Sequence, residues 1–130
     1  MVGGRSQRPL GLMFATGEGA KRCGPRTGCA IAYARVHDQP KVYLRTVAHE
    51  LGHVFNLAHP GSGGEALEAD AANSLMAPLS DLRPNDQLSE AIEFRFSRRD
   101  MHWLTHAPEE FVRPGGCEFG ARPPDWPMSR

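Results

Sequence analysis

The spacing of apolar positions changes period along the chain, and each change marks an element. Leu10-Gly11-Leu12-Met13-Phe14 is a short apolar run that reads as a buried strand. From Cys29 to Val36, Ile31, Tyr33 and Arg35 fall on one parity and Ala30, Ala32, Ala34 and Val36 on the other. That alternation predicts a second strand with one small-residue face. His37-Asp38-Gln39-Pro40 is a turn that starts a helix, because proline suits the first helical position. From Lys41 the period lengthens, and Leu44, Val47, Ala48, Leu51, Val54 and Phe55 recur at steps of three and four. The expected element is a helix that buries this apolar set and ends near Asn56. Ser97-Arg98-Arg99-Asp100 has the form of a capping box, predicting a second helix to about His106 that buries Met101 and Leu104 and is stopped by Pro108.

The segments between are loops. Residues 15–28 and 60–73 are glycine-rich, residues 79–96 carry no clear period, and Ser74-Leu75-Met76-Ala77-Pro78 reads as a tight turn. Residues 1–9 and 114–130 are expected to be flexible coil. No repeat and no second core is visible, so residues 1–130 read as a single α+β domain.

Composition narrows the partners. Fifteen basic residues balance fifteen acidic ones in a chain of 130, and Arg95, Arg98 and Arg99 read as a solvated face rather than a nucleic-acid surface. No apolar run approaches the roughly 20 residues that span a bilayer. The first residues lack the apolar stretch of a signal peptide, which implies either a cytosolic chain or one whose leader has been removed. The three cysteines fit no closed disulfide framework. Either Cys23 and Cys29 clip their loop and leave Cys117 over, or all three are free thiols.

The chemistry gathers at His49-Glu50-Leu51-Gly52-His53. On a helix, residues i and i+4 lie one above the other, so His49 and His53 can share one metal ion. Glu50 stands beside the first ligand, where its carboxylate reaches a water on the metal rather than the metal itself. A third histidine, His59, lies six residues on with Asn56 midway. A continuing helix would carry His59 to the wrong side. A sharp break at Asn56 would return it, and asparagine is second only to glycine in tolerating the positive φ such a break needs. Three imidazoles leave one tetrahedral position open, the pattern of a catalytic zinc site.

The stretch from His49 to His59 resembles the H-E-x-x-H-x-x-G-x-x-H motif of the metzincin zinc peptidases, with Asn56 in place of the glycine. Ser74-Leu75-Met76-Ala77-Pro78 resembles the methionine turn that follows it in those proteins, in a form similar to the matrixins. Pro60 is similar to the serralysins, so no subfamily fits throughout. The resemblance covers residues 28–107 and implies a metzincin-like zincin fold: a small twisted sheet, an active-site helix and a C-terminal helix. The usual first strand and backing helix have no counterpart before Leu10, which implies a domain shortened at its N-terminus.

By position, the resemblance implies His49, His53 and His59 as zinc ligands and Glu50 as general base. It implies Asn56 and Met76 as supporting turn residues, Met76 forming an apolar floor beneath the metal. It implies that Ala32, Tyr33 and Ala34, on the strand Cys29–Val36, align a peptide or protein substrate, with Pro78 and Leu79 walling its pocket. The expected protein is a monomeric zinc endopeptidase, secreted or extracellular; the alternative is a catalytically silent zinc-binding module derived from one. Glu65, Glu68 and Asp70 match no calcium loop, so calcium has no support.

Overall fold

The computed structural model describes residues 9–15, 26–64, 66–78 and 93–127. Within them the chain is a small mixed fold of helix and strand. Strand β1 (Gly11–Ala15) pairs antiparallel with β2 (Arg26–Ile31), Gly11 facing Ile31, with an irregularity between Phe14 and Ala15. A one-turn helix α1 (Tyr33–Val36) leads into the long helix α2 (Pro40–Val54), which packs against both strands. Helices α3 (Arg98–His106) and α4 (Glu109–Val112) follow. None of the described helices is long and apolar enough to cross a membrane.

The second strand departs from the alternation Cys29–Val36. It begins earlier, at Arg26, and ends at Ile31, so that Ala32 caps α1, and Tyr33 and Ala34 lie in a helix rather than a strand. The ladder runs out at this point. Ala32 N–H donates to Leu10 C=O (2.7 Å), and the next residue on the facing strand is Pro9, which has no N–H and whose C=O accepts from Arg35. Alanine-rich sequence without a ladder partner favours helix. In β1, Gly11 and Met13 are half-buried while Leu12 and Phe14 are exposed, a correction to the buried strand expected over Leu10–Phe14.

Helix α2 starts at Pro40 and ends where the spacing places its end, but the buried face differs from the expected one. Leu44 is 60% exposed, Leu51 42% and Phe55 36%, while Val42, Arg45, Thr46, His49, Glu50, Gly52 and Val54 are buried. The period is helical and the phase is turned. Burial follows the elements that cover the helix, and the sheet and the 74–77 turn cover its polar side. Arg45 is accommodated there because its Nη2 donates to the carbonyls of Ser74, Leu75 and Ala77.

The capping box of α3 is formed: Asp100 N–H donates to Ser97 Oγ (3.1 Å) and Ser97 N–H to Asp100 Oδ2 (3.2 Å). The helix buries Asp100 and Trp103 and packs Leu104 against the core, while Met101, expected inside, is half exposed. Leu57, Met76 and Trp103 form the core, joined by Phe96, Leu104, Phe111 and Trp126. The segment 114–127 is irregular, as its prolines and glycines require, but it is bonded into the body rather than loose. Gly115 N–H donates to Arg26 C=O, and Gly120 N–H to Asn56 Oδ1 (2.7 Å). Arg26, fully buried, donates to the carbonyls of Val54, Phe111, Arg113 and Cys117 and thereby ties β2 to the end of α2 and to α4.

Candidate metal centre

His49 and His53 project from consecutive turns of α2 with ring centroids 4.6 Å apart. The helix then stops in a Schellman motif. Asn56 takes φ +66°, Asn56 N–H donates to His53 C=O, and Leu57 N–H reaches back to Gly52 C=O. This reversal carries His59 back over the helix end. The three Nε2 atoms converge: His49 to His59 is 3.0 Å, His49 to His53 is 3.1 Å, and His53 to His59 is 3.2 Å.

The protonation pattern shows what the cluster is suited to hold. His49 Nδ1 lies 2.7 Å from Leu75 C=O, and His53 Nδ1 lies 2.7 Å from Leu57 C=O. A carbonyl only accepts, so each Nδ1 carries the proton and each neutral ring turns an unprotonated Nε2 into the cluster. Lone pairs in such proximity repel unless a cation lies between them. Burial is the main cause that pushes His49 down to about 3, and it lowers His53 as well, so these rings stay neutral. Tetrahedral zinc with bonds of about 2.0–2.1 Å sets its nitrogens about 3.3 Å apart, and the observed separations fall within a few tenths of that. The three histidines can therefore hold a metal ion, and they are the one such set of three among the described residues.

Glu50 follows His49 on α2 and lies against β1. Burial pushes its carboxyl up to about 7, and a hydrogen bond from Met13 N–H partly offsets that. Glycine at position 11 makes the approach possible, since a Cβ there would stand 2.7 Å from Glu50 Cγ. The strand adjoining Glu50 through both contacts is thus β1. Ala32, Tyr33 and Ala34 are brought to the sheet end and α1 instead, with Tyr33 and Ala34 exposed. Pro78, half-buried, follows the 74–77 turn; Leu79, Cys23 and Glu65 lie outside the described residues. Cys29 and Cys117 are free thiols.

Met76 is fully buried against the helix between His49 and His53. A Cβ on Gly52 would overlap Met76 Sδ, so glycine inside this helix reflects the close approach of the methionine turn. Leu75 C=O, one residue earlier, accepts from both His49 and Arg45. Arg45 thus positions the turn that orients a ligand, and nothing in its spacing distinguishes it from a surface arginine.

Asn56 does more than take a left-handed turn. Its Nδ2 donates to Phe111 C=O (3.1 Å) and Ala121 C=O (2.9 Å), and its Oδ1 accepts from Gly120. These bonds bring Phe119 edge-on to the His53 ring, with centroids 5.6 Å apart. The carboxy-terminal segment is therefore part of the site's wall. Asp70 is engaged by Arg98 N–H and Arg95, as a staple for α3. Comparison with known protein families, characterised proteins and solved structures returns no match.

Proposed function

We propose that the chain is a zinc-dependent endopeptidase of the metzincin kind, with His49, His53 and His59 holding the metal and Glu50 acting as the base. The observation that carries this reading is the reversal at Asn56. It gathers three Nε2 atoms within 3.0–3.2 Å of one another, the first of them on the residue next to buried Glu50. The donor set is all imidazole, with the tautomers of His49 and His53 tied by carbonyls, which suits zinc among the common divalent ions.

Zinc bound there would acidify a water and polarise a substrate carbonyl. The chain's own residues supply the rest. Glu50, with its carboxyl near 7, is poised to take a proton at neutral pH and return it to a departing amine. Met13 N–H donates to that carboxylate and so fixes its position. A substrate backbone is best accommodated along β1, the strand that adjoins Glu50, by strand addition. Phe119 would offer an aromatic wall on the His53 side.

The test is Glu50→Gln in the zinc-loaded protein, assayed on a quenched peptide library with and without a chelator. The substitution should retain one zinc per chain and lower turnover by about 10²–10⁴. Parent protein that holds zinc but cleaves no peptide would favour the silent zinc-binding module. Unimpaired cleavage by the variant would remove Glu50 from the reaction.

A further inference from the structure

Helix α3 carries a second pair of histidines that the proposed chemistry does not use. His102 and His106 stand one turn apart, both exposed, with ring centroids 4.6 Å apart. That matches the centroid separation of His49 and His53, with the rings inclined at 48° rather than 86°. Residues i and i+4 share one helix face, so side-chain rotation can bring both imidazoles to a single ion.

The mount is rigid. The capping box fixes the start of α3, and buried Trp103 ties its middle to Phe55 C=O through Nε1. Trp126 lies against the His102 ring at 5.4 Å and edge-on to Trp103 at 4.9 Å, which narrows the freedom of the first imidazole. His106 sits in the last turn of the helix, where the carbonyl end of the dipole favours a cation. Exposure leaves room for waters to complete a coordination shell.

We infer that His102 and His106 form a second, solvent-open metal site, which takes Cu²⁺ in preference to Ni²⁺ or Zn²⁺. Two imidazoles without a carboxylate or thiolate select late divalent ions, and affinity for nitrogen ligands peaks at copper. With two protein ligands rather than three, this site is the weaker of the two and fills only after the His49–His53–His59 cluster.

The test uses the untagged, zinc-loaded full chain titrated with Cu²⁺. Paramagnetic broadening should erase the NMR signals of His102, His106 and the Trp126 indole, and tryptophan emission should be quenched saturably. His106→Ala should shift the quenching midpoint to at least about tenfold higher Cu²⁺, through loss of one of two ligands. Identical midpoints for parent and variant would overturn the proposal. So would broadening confined to residues 49–59, which would place the copper in the first cluster. The parent's broadening pattern decides the matter even if the variant were to unfold.

Discussion

The two histidine pairs, one on α2 and one on α3, share a spacing and a ring separation of 4.6 Å, yet they occupy opposite environments. On α2 the pair lies on the buried side, each Nδ1 is tied to a carbonyl from another turn of chain, and a left-handed residue returns a third imidazole. On α3 the pair faces solvent and is braced by one indole. Helical spacing alone makes a bidentate clip. A closed three-ligand centre also needs a reversal of the chain, fixed tautomers and a wall against water, and those come from residues far away in sequence.

That contrast can be broken at several points. The largest effect is expected from His59→Ala, which reduces the α2 cluster to a two-imidazole clip like that of α3. Zinc affinity measured by chelator competition should fall by more than about 100-fold, because losing a ligand outweighs the usual loss of an outer partner. Equal affinity would show that the reversal at Asn56 does not matter to the metal.

Gly52→Ala should come next. Its methyl group drives into Met76 Sδ, and overpacking of this kind destabilises by about 1–3 kcal/mol in a urea melt. Ala at an exposed α3 position such as Thr105 offers the control, expected within about 0.5 kcal/mol of the parent.

Asn56 separates backbone from side chain. Asn56→Gly keeps the left-handed turn but loses the bonds to Phe111, Gly120 and Ala121, at a cost of about 1–2 kcal/mol. Asn56→Ala loses the same bonds and adds the left-handed penalty of about 1–2 kcal/mol, so it should be the less stable of the two. The reverse order would mean that residue 56 does not hold a left-handed turn in solution.

Acid probes the burial of the α2 pair in metal-free protein. His49 is held near 3 in the folded chain, below its ordinary 6.5, chiefly by burial, and His53 is lowered in the same direction. Between those two values these rings bind protons in the unfolded chain that they refuse in the folded one, so their contribution to stability rises with pH across the window. Glu50, raised to about 7 by burial, acts in the opposite direction between its ordinary 4.5 and 7, so the net loss of stability in the metal-free protein is expected below about pH 4.5, as the pH falls toward 3. A flat denaturation profile over that window would show that the rings are not buried in solution.

Much of the site was legible in one dimension because its logic is local. The i, i+4 histidines, the helix stop at Asn56 and the capping box at Ser97–Asp100 each depend on residues within about two turns, and all three stand where the spacing puts them. The second strand was legible only in part, because an alternation of alanines does not reveal when its partner strand runs out at Pro9. The role of Asn56 as a clamp was invisible, since its partners lie 55–65 residues away. So was that of Phe119, brought to the His53 ring by that clamp.

What the sequence by itself determined is the helix that carries His49 and His53, its end, and the reversal that can recover His59, since backbone preference and side-chain spacing act over a few residues. Only the tertiary structure decided which face of that helix is inside. Leu44, Leu51 and Phe55 remain outside, whereas Arg45, His49 and Glu50 are buried. Burial is set by what covers a surface and by whether its polar groups find partners there. Here carbonyls of the 74–77 turn and the backbone of β1 supply those partners from across the fold.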